Sequence, residues 1–141
     1  MNTKRILFLF LAFHFIFIIP RATAQETKST EPVKLKVLSY NLRFGELASL
    51  EELAAFIREQ NPDIVALQEV DCRTNRDRAP SQNGKDFATE LGFRTGMLTA
   101  YGKTIPYAGG YYGIAILSQY PLAKVERIYL PKTENGKEQR A

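Results

Sequence analysis

The chain has 141 residues, of which 45% are hydrophobic and 24% are charged, and its formal net charge is +4. Cys72 is the only cysteine, so an internal disulfide is excluded and the fold depends on its core alone. Broad electrostatic binding of nucleic acid is also disfavoured, because three of the cations lie in the first 24 residues and the remainder carries only +1.

Residues 1–24 have the composition of a signal peptide. Lys4 and Arg5 precede the apolar run ILFLFLAFHFIFIIP, and small residues at Ala22 and Ala24 suit cleavage after Ala24. The alternative is a membrane anchor, but this run of about 15 residues is shorter than the roughly 20 that span a bilayer. We predict an exported product, periplasmic or extracellular, with no stable membrane anchor after cleavage.

A strand, a helix and a second strand are predicted after a flexible leader at residues 25–33. The first strand is KLKVLSYN, residues 34–41, and the second is DIVALQE, residues 63–69. Between them SLEE has the form of a capping box that opens a helix at Ser49, and Asn61 with Pro62 ends it. Such a βαβ unit makes the two strands parallel neighbours.

The remainder of the chain predicts a long polar loop at residues 71–84 and then further helix and strand segments. A short helix is expected in KDFATEL, ending at Gly92, and a strand with a turn in FRTGMLTAYG. YYGIAILS has the composition of a buried strand, and AKVERIYLP, residues 123–131, alternates like a strand with one face in water.

Asn41 and Glu69 end the two parallel strands, whose carboxyl ends lie side by side where open α/β sheets build ligand sites. A carboxylate there is a suitable ligand for Mg²⁺ or Mn²⁺, and a neighbouring amide can orient it. The alternative is ordinary turn chemistry, in which Asn41 caps a turn and Glu69 pairs with Arg43 or Arg73.

The motifs LSYNLRFG, DIVALQEVD and YYGIAILSQYPL occur in an order that resembles the endonuclease/exonuclease/phosphatase superfamily of metal-dependent phosphoesterases, over residues 34–141. The resemblance implies an α/β fold, here the N-terminal half of a two-sheet α/β sandwich with helices on the outer faces. It also implies hydrolysis of a phosphate ester by a metal-activated water, with Mg²⁺ or Mn²⁺ as cofactor. The substrate could be a nucleic acid, a phospholipid head group or a sugar phosphate.

The same resemblance implies roles for particular residues. Asn41 matches an asparagine that organises the metal and phosphate centre, and Glu69 matches the glutamate that binds the metal. Tyr111, or Tyr112 if the loop shifts by one residue, matches a tyrosine near the substrate, and the alternative is a tyrosine packed at a strand start.

Arg73 and Arg76 lie in the loop where several relatives contact phosphate or substrate, and the alternative is a solvated basic loop. Many relatives read VDRRT here, whereas this chain has Cys72 in place of the first arginine, so the resemblance does not carry over a contact from that position.

The resemblance also implies a second half, with a catalytic histidine and aspartate in motifs similar to GDFN and SDH, and neither string occurs in this sequence. The only histidine is His14, inside the predicted signal peptide. We therefore expect a truncated domain that is inactive alone and has one uncovered sheet face, with a complementing C-terminal half as a partner. The alternative is a non-catalytic binding module or regulator descended from the same family.

Overall fold

The computed structural model describes residues 32–136. The predicted signal peptide, residues 1–24, lies outside the described residues, and so does the predicted leader except for its last two residues. Within the described range, no helix is both long enough and apolar enough to cross a membrane.

Two α-helices pack on one face of a four-stranded sheet in the part of the chain that the structure describes. In chain order the elements are β1 (Val37–Asn41), α1 (Leu50–Gln60), β2 (Ile64–Cys72), α2 (Phe87–Thr95), β3 (Leu98–Tyr107) and β4 (Gly110–Ser118). The sheet order is β1-β2-β4-β3, with β1 parallel to β2 and the other neighbours antiparallel. The predicted α/β class and the βαβ unit are therefore confirmed.

Helix α1 begins and ends at the residues that the sequence predicts. Ser49 Oγ accepts a hydrogen bond from the Glu52 N–H, and Glu52 Oε2 accepts one from the Ser49 N–H. A capping side chain of this kind contributes about 1 kcal/mol. Asn61 adopts a left-handed conformation, with φ of 46°, and its N–H bonds to carbonyls of the last turn. Pro62 follows and cannot continue the helix.

A single apolar core lies between the helices and the sheet. Leu53 and Ile57 of α1 and Leu91 of α2 are buried against Val65 and Leu117 of the two central strands. The strand β2 is paired on both sides, by β1 and by β4. Because this strand is fixed by two ladders and by the core, the residues along it have well-defined positions.

Several predicted boundaries are wrong. The strand β1 begins at Val37 and not at residue 34, and the segment FRTGMLTAYG, predicted as a strand with a turn, begins inside α2. The strand β2 does not end at Glu69 but continues to Cys72, because β4 supplies antiparallel partners for residues 70–72. Helix α2 does not end at Gly92 but at Thr95, where Gly96 with φ of 72° forms the cap. A Cβ at Gly92 would lie 2.2 Å from the Thr99 side chain, so this glycine allows close packing inside the helix.

The prediction of a strand at residues 123–131 is also wrong. This segment has no regular secondary structure and lies beside the outer face of β3 and β4, where Val125 and Ile128 border a cavity of about 90 Å³ together with Ile114 and Ile116. Arg127 Nη1 donates to the Lys103 carbonyl oxygen at 2.7 Å. The alternating apolar residues of this segment therefore contact a face of the sheet, but the segment does not pair with a strand.

Several apolar side chains of the sheet face opposite the helices are exposed among the described residues, although residues 123–131 lie beside part of that face. Val37 in β1, Leu98 in β3 and Ile116 in β4 are 61%, 50% and 43% exposed. The outer edges of β1 and β3 also have no strand partner within residues 32–136. Apolar faces and free edges of this kind promote association with another surface.

We predict that the full chain self-associates through this face and that Ile116→Lys raises the monomer fraction, because a charge there opposes burial. Sedimentation velocity measures the change. Phe93→Lys is the matched control, since Phe93 is 86% exposed but lies on α2. A wild-type chain that is monomeric and unfolds cooperatively, or an equal effect of both substitutions, would contradict the prediction.

Candidate active site

Asn41 and Glu69 lie in direct contact at the carboxyl rim of the parallel strands. Asn41 pairs with Gln68 in the register of β1 and β2, so Glu69 is the next residue beyond the last pair. Asn41 Nδ2 donates a hydrogen bond to Glu69 Oε1 at 3.0 Å, while Asn41 Oδ1 accepts one from the Arg43 N–H at 2.8 Å. Both ends of the Asn41 amide are therefore engaged, which fixes its orientation toward the carboxylate.

Glu69 occupies a β-bulge. Leu67 pairs with Ala115 and Val70 pairs with Gly113, so two residues of β2 lie opposite one residue of β4. Glu69 itself has a φ of 55°. A non-glycine residue in this left-handed region costs on the order of 1–2 kcal/mol, and bulges commonly redirect a side chain beside a functional site. The bulge turns Glu69 toward Asn41.

The turn after β1 is also left-handed. Arg43, Phe44 and Gly45 have φ values of 45°, 45° and 69°. A Cβ on Gly45 would lie 3.1 Å from the Phe87 ring, so a larger residue would crowd α2. Leu42 still donates its N–H to the Gln68 carbonyl at 2.9 Å, which joins the turn to β2. The site is thus bordered by two strained segments, the bulge at Glu69 and the left-handed turn after β1, which the neighbouring strands and helix hold in place.

A cleft of about 530 Å³ opens beside the Asn41–Glu69 pair, bordered by the left-handed turn and the start of α1. Glu69 is half-buried, and its Oε2 accepts no hydrogen bond from the described residues. Mg²⁺ needs only one or two protein carboxylates when water and phosphate fill its other positions. No cluster of three or more His, Cys, Asp or Glu within residues 32–136 could hold a metal alone. The residues present fit one side of a metal site.

The strand register separates the two candidate tyrosines. Residues of β4 alternate between the sheet faces, and Ala115 and Leu117 belong to the helix-covered face. Tyr111 shares that face, whereas Tyr112 shares the open face with Asn41. Lys103 Nζ lies 4.2 Å from the centre of the Tyr111 ring. The geometry therefore favours Tyr112 over Tyr111, and a role for either one in catalysis stays a prediction.

Arg73 and Arg76 have different surroundings. Arg73 is exposed, and its side chain makes no hydrogen bond, ion pair or ring contact with another described residue. It can therefore meet a phosphate without breaking a contact. Arg76 instead donates to Asp71 through Nε at 2.5 Å and Nη2 at 2.8 Å, and is only 12% exposed. Its guanidinium is already bound, which disfavours a direct substrate contact.

The sequence reasoning missed Asp71. The carboxylate is 2% exposed and also accepts a hydrogen bond from Thr74 Oγ1 at 2.6 Å. An acidic residue two positions beyond the predicted end of the apolar strand, followed five residues later by an arginine, was the available signal. Next to it, burial and the neighbouring Asp86 raise the pKa of the Cys72 thiol, consistent with a structural cysteine.

The comparisons with known proteins agree with this geometry. Residues 38–138 match the model of the Endonuclease/Exonuclease/phosphatase family. A solved structure of an endonuclease/exonuclease/phosphatase family protein from Leptotrichia buccalis C-1013-b is similar, with a TM-score of 0.57 and 17% identity, over 76% of this chain and 46% of that one. Among curated proteins none matches significantly.

A second solved structure, an endonuclease/exonuclease/phosphatase from Beutenbergia cavernae DSM 12333, has a TM-score of 0.48 and 20% identity, over 70% of this chain and 27% of that one. The chain thus spans less than half the length of either solved protein. The match to the family model covers most of the chain, and the Leptotrichia structure supports the same fold. The chain belongs to the endonuclease/exonuclease/phosphatase family.

Proposed function

We propose that this chain supplies one side of the active site of an exported, divalent-metal-dependent phosphoesterase. The observation that carries the proposal is the hydrogen bond from Asn41 Nδ2 to Glu69 Oε1, made at the rim of the parallel strands. A pair held this way presents an oriented carboxylate to the cleft. Membership of the family supports phosphate-ester hydrolysis as the reaction class.

Mg²⁺ or Mn²⁺ is the proposed cofactor. Glu69 would hold the metal through Oε2, and Asn41 would keep the carboxylate oriented. A bound metal would polarise the phosphate and make a water more acidic. Arg73 offers a free guanidinium that can grip phosphate oxygens in a bidentate manner. Tyr112 is the better candidate of the two tyrosines for a substrate contact.

The proposed substrates are phosphate esters outside the cytoplasm. The basic start, the apolar run and the small residues before position 25 support export to the periplasm or the medium. A nucleic acid, a phospholipid head group and a sugar phosphate share the phosphate that Arg73, and a metal held by Glu69, would contact. We propose the shared phosphate as the recognised group.

Replacing Glu69 by Gln is predicted to weaken Mn²⁺ binding by the full chain at least about tenfold, because the ligand loses its charge. Asn41→Ala is expected to weaken it about 10–100-fold, as is typical when a partner that orients a metal ligand is lost. Paramagnetic resonance of free Mn²⁺ gives the affinities. The control is Glu59→Gln, an exposed glutamate on α1. Equal affinity in Glu69→Gln and wild type would reject the role of Glu69.

The full chain alone is predicted not to hydrolyse bis(p-nitrophenyl) phosphate, because the sequence lacks strings similar to GDFN and SDH. Adding a purified C-terminal half of a family member is predicted to produce Mg²⁺-dependent hydrolysis that chelation and Glu69→Gln both abolish. Absorbance of released p-nitrophenolate measures it. Hydrolysis that persists in Glu69→Gln would contradict the proposal. Saturable binding of a phosphorylated ligand without turnover in any combination would support the non-catalytic binding module.

A further inference from the structure

Arg76 lies at the centre of a cluster built from several parts of the chain. Its guanidinium forms a two-pronged ion pair with Asp71, at the end of β2. The same guanidinium stacks over the Phe44 ring at 4.1 Å and over the Tyr107 ring at 4.2 Å, measured to the ring centres. Tyr112 of β4 lies at 5.1 Å. One side chain therefore contacts the turn after β1, the end of β2 and the β3–β4 hairpin.

Both principal contacts of Arg76 are close in the chain to the candidate active-site pair. Phe44 follows Asn41 by three residues, and the turn that contains it supplies the Arg43 N–H that binds Asn41 Oδ1. Asp71 follows Glu69 by two residues, one position beyond Val70, where pairing with β4 resumes. A displacement of Phe44 relative to Asp71 would therefore shift Asn41 relative to Glu69.

We propose that Arg76 is a positioning residue that sets the geometry of the Asn41–Glu69 pair without contacting substrate or metal. It joins the left-handed turn to the end of β2 through Phe44, which also borders the cleft beside Glu69, whereas Arg76 itself does not line that cleft. The role in catalysis rests on the proposed function, whereas the effect on the Asn41–Glu69 hydrogen bond does not.

An arginine suits this position better than a lysine. The planar guanidinium presents two parallel donors to one carboxylate and still offers its faces to aromatic rings, whereas an ammonium is a point charge without a flat face. The low exposure of both partners, 12% for Arg76 and 2% for Asp71, keeps water from competing for the ion pair. A lysine at position 76 would lose both the two-pronged ion pair with Asp71 and the stacking on the aromatic rings.

The test uses the full chain labelled with ¹⁵N and reads the side-chain amide signals of Asn41, which report its hydrogen bond to Glu69. Arg76→Lys keeps the positive charge but removes the paired donors to Asp71 and the stacking on the aromatic rings. Phe44→Leu keeps an apolar side chain and the Asp71 ion pair but removes the ring. Arg94→Lys is the matched control, since Arg94 pairs with Glu51 and Glu90 on the helices.

We expect Arg76→Lys and Phe44→Leu to move the Asn41 side-chain signals toward those of a solvated asparagine, and Arg94→Lys to leave them in place. Mn²⁺ affinity should fall about tenfold in the same two variants. Unmoved Asn41 signals in both variants would overturn the proposal and leave Arg76 as a stabilising residue only. If Arg76→Lys does not fold, Phe44→Leu decides alone. Signals that move in a chain that binds no Mn²⁺ would uphold the positioning role and reject the metal-dependent function.

Discussion

The parallel pairing of β1 and β2 is the constraint on which the candidate active site depends. The register joins Val37 to Ile64 and Asn41 to Gln68, so both strands reach the same rim and Glu69 falls one residue beyond the last pair. A slip of one residue would turn every side chain of β1 to the opposite face. The partly buried residues Leu38 and Tyr40 would then lose their contacts with the core, and Asn41 would leave Glu69. The packing of alternate β1 residues against the core therefore also fixes the position of Asn41 beside Glu69.

Backbone strain is concentrated around this rim. Arg43, Phe44, Glu69 and Arg73 all have positive φ, and in the described part of the chain only two other non-glycine residues do. Conformations of this kind cost on the order of 1–3 kcal/mol each and persist when the surrounding structure holds them. Here the surroundings are a core strand paired on both sides and the ion pair of Asp71 with Arg76. The strain places polar side chains at the cleft that a regular strand would direct elsewhere.

Much of this arrangement could be predicted from the sequence because its signals are local. The capping box at Ser49, the left-handed Asn61 and the order of strand, helix and strand depend on neighbours a few residues away. That order alone places Asn41 beside Glu69. The resemblance to the family then identifies which chemistry the two side chains suit.

What the sequence did not predict depends on contacts between distant residues. The strand β2 continues past Glu69 because β4 pairs with it. Gly92 lies inside a helix, where the nearby Thr99 side chain leaves no space for a Cβ. The sheet face on which Tyr111 lies depends on how β4 pairs with β2, which the residues around Tyr111 do not reveal. Arg76 binds Asp71 because a loop folds back on the strand before it. No periodicity in a single segment encodes these pairings.

The most direct test of the account is the anomalous scattering of Mn²⁺ in crystals of the chain grown with Mn²⁺ and inorganic phosphate. The account predicts a peak at about 2.1 Å from Glu69 Oε2, as expected for oxygen ligands of a small divalent cation. It also predicts that Asn41 keeps its hydrogen bond to the other carboxylate oxygen. A metal peak bound elsewhere on the chain, or no peak beside Glu69 at a Mn²⁺ concentration that saturates binding in solution, would contradict it.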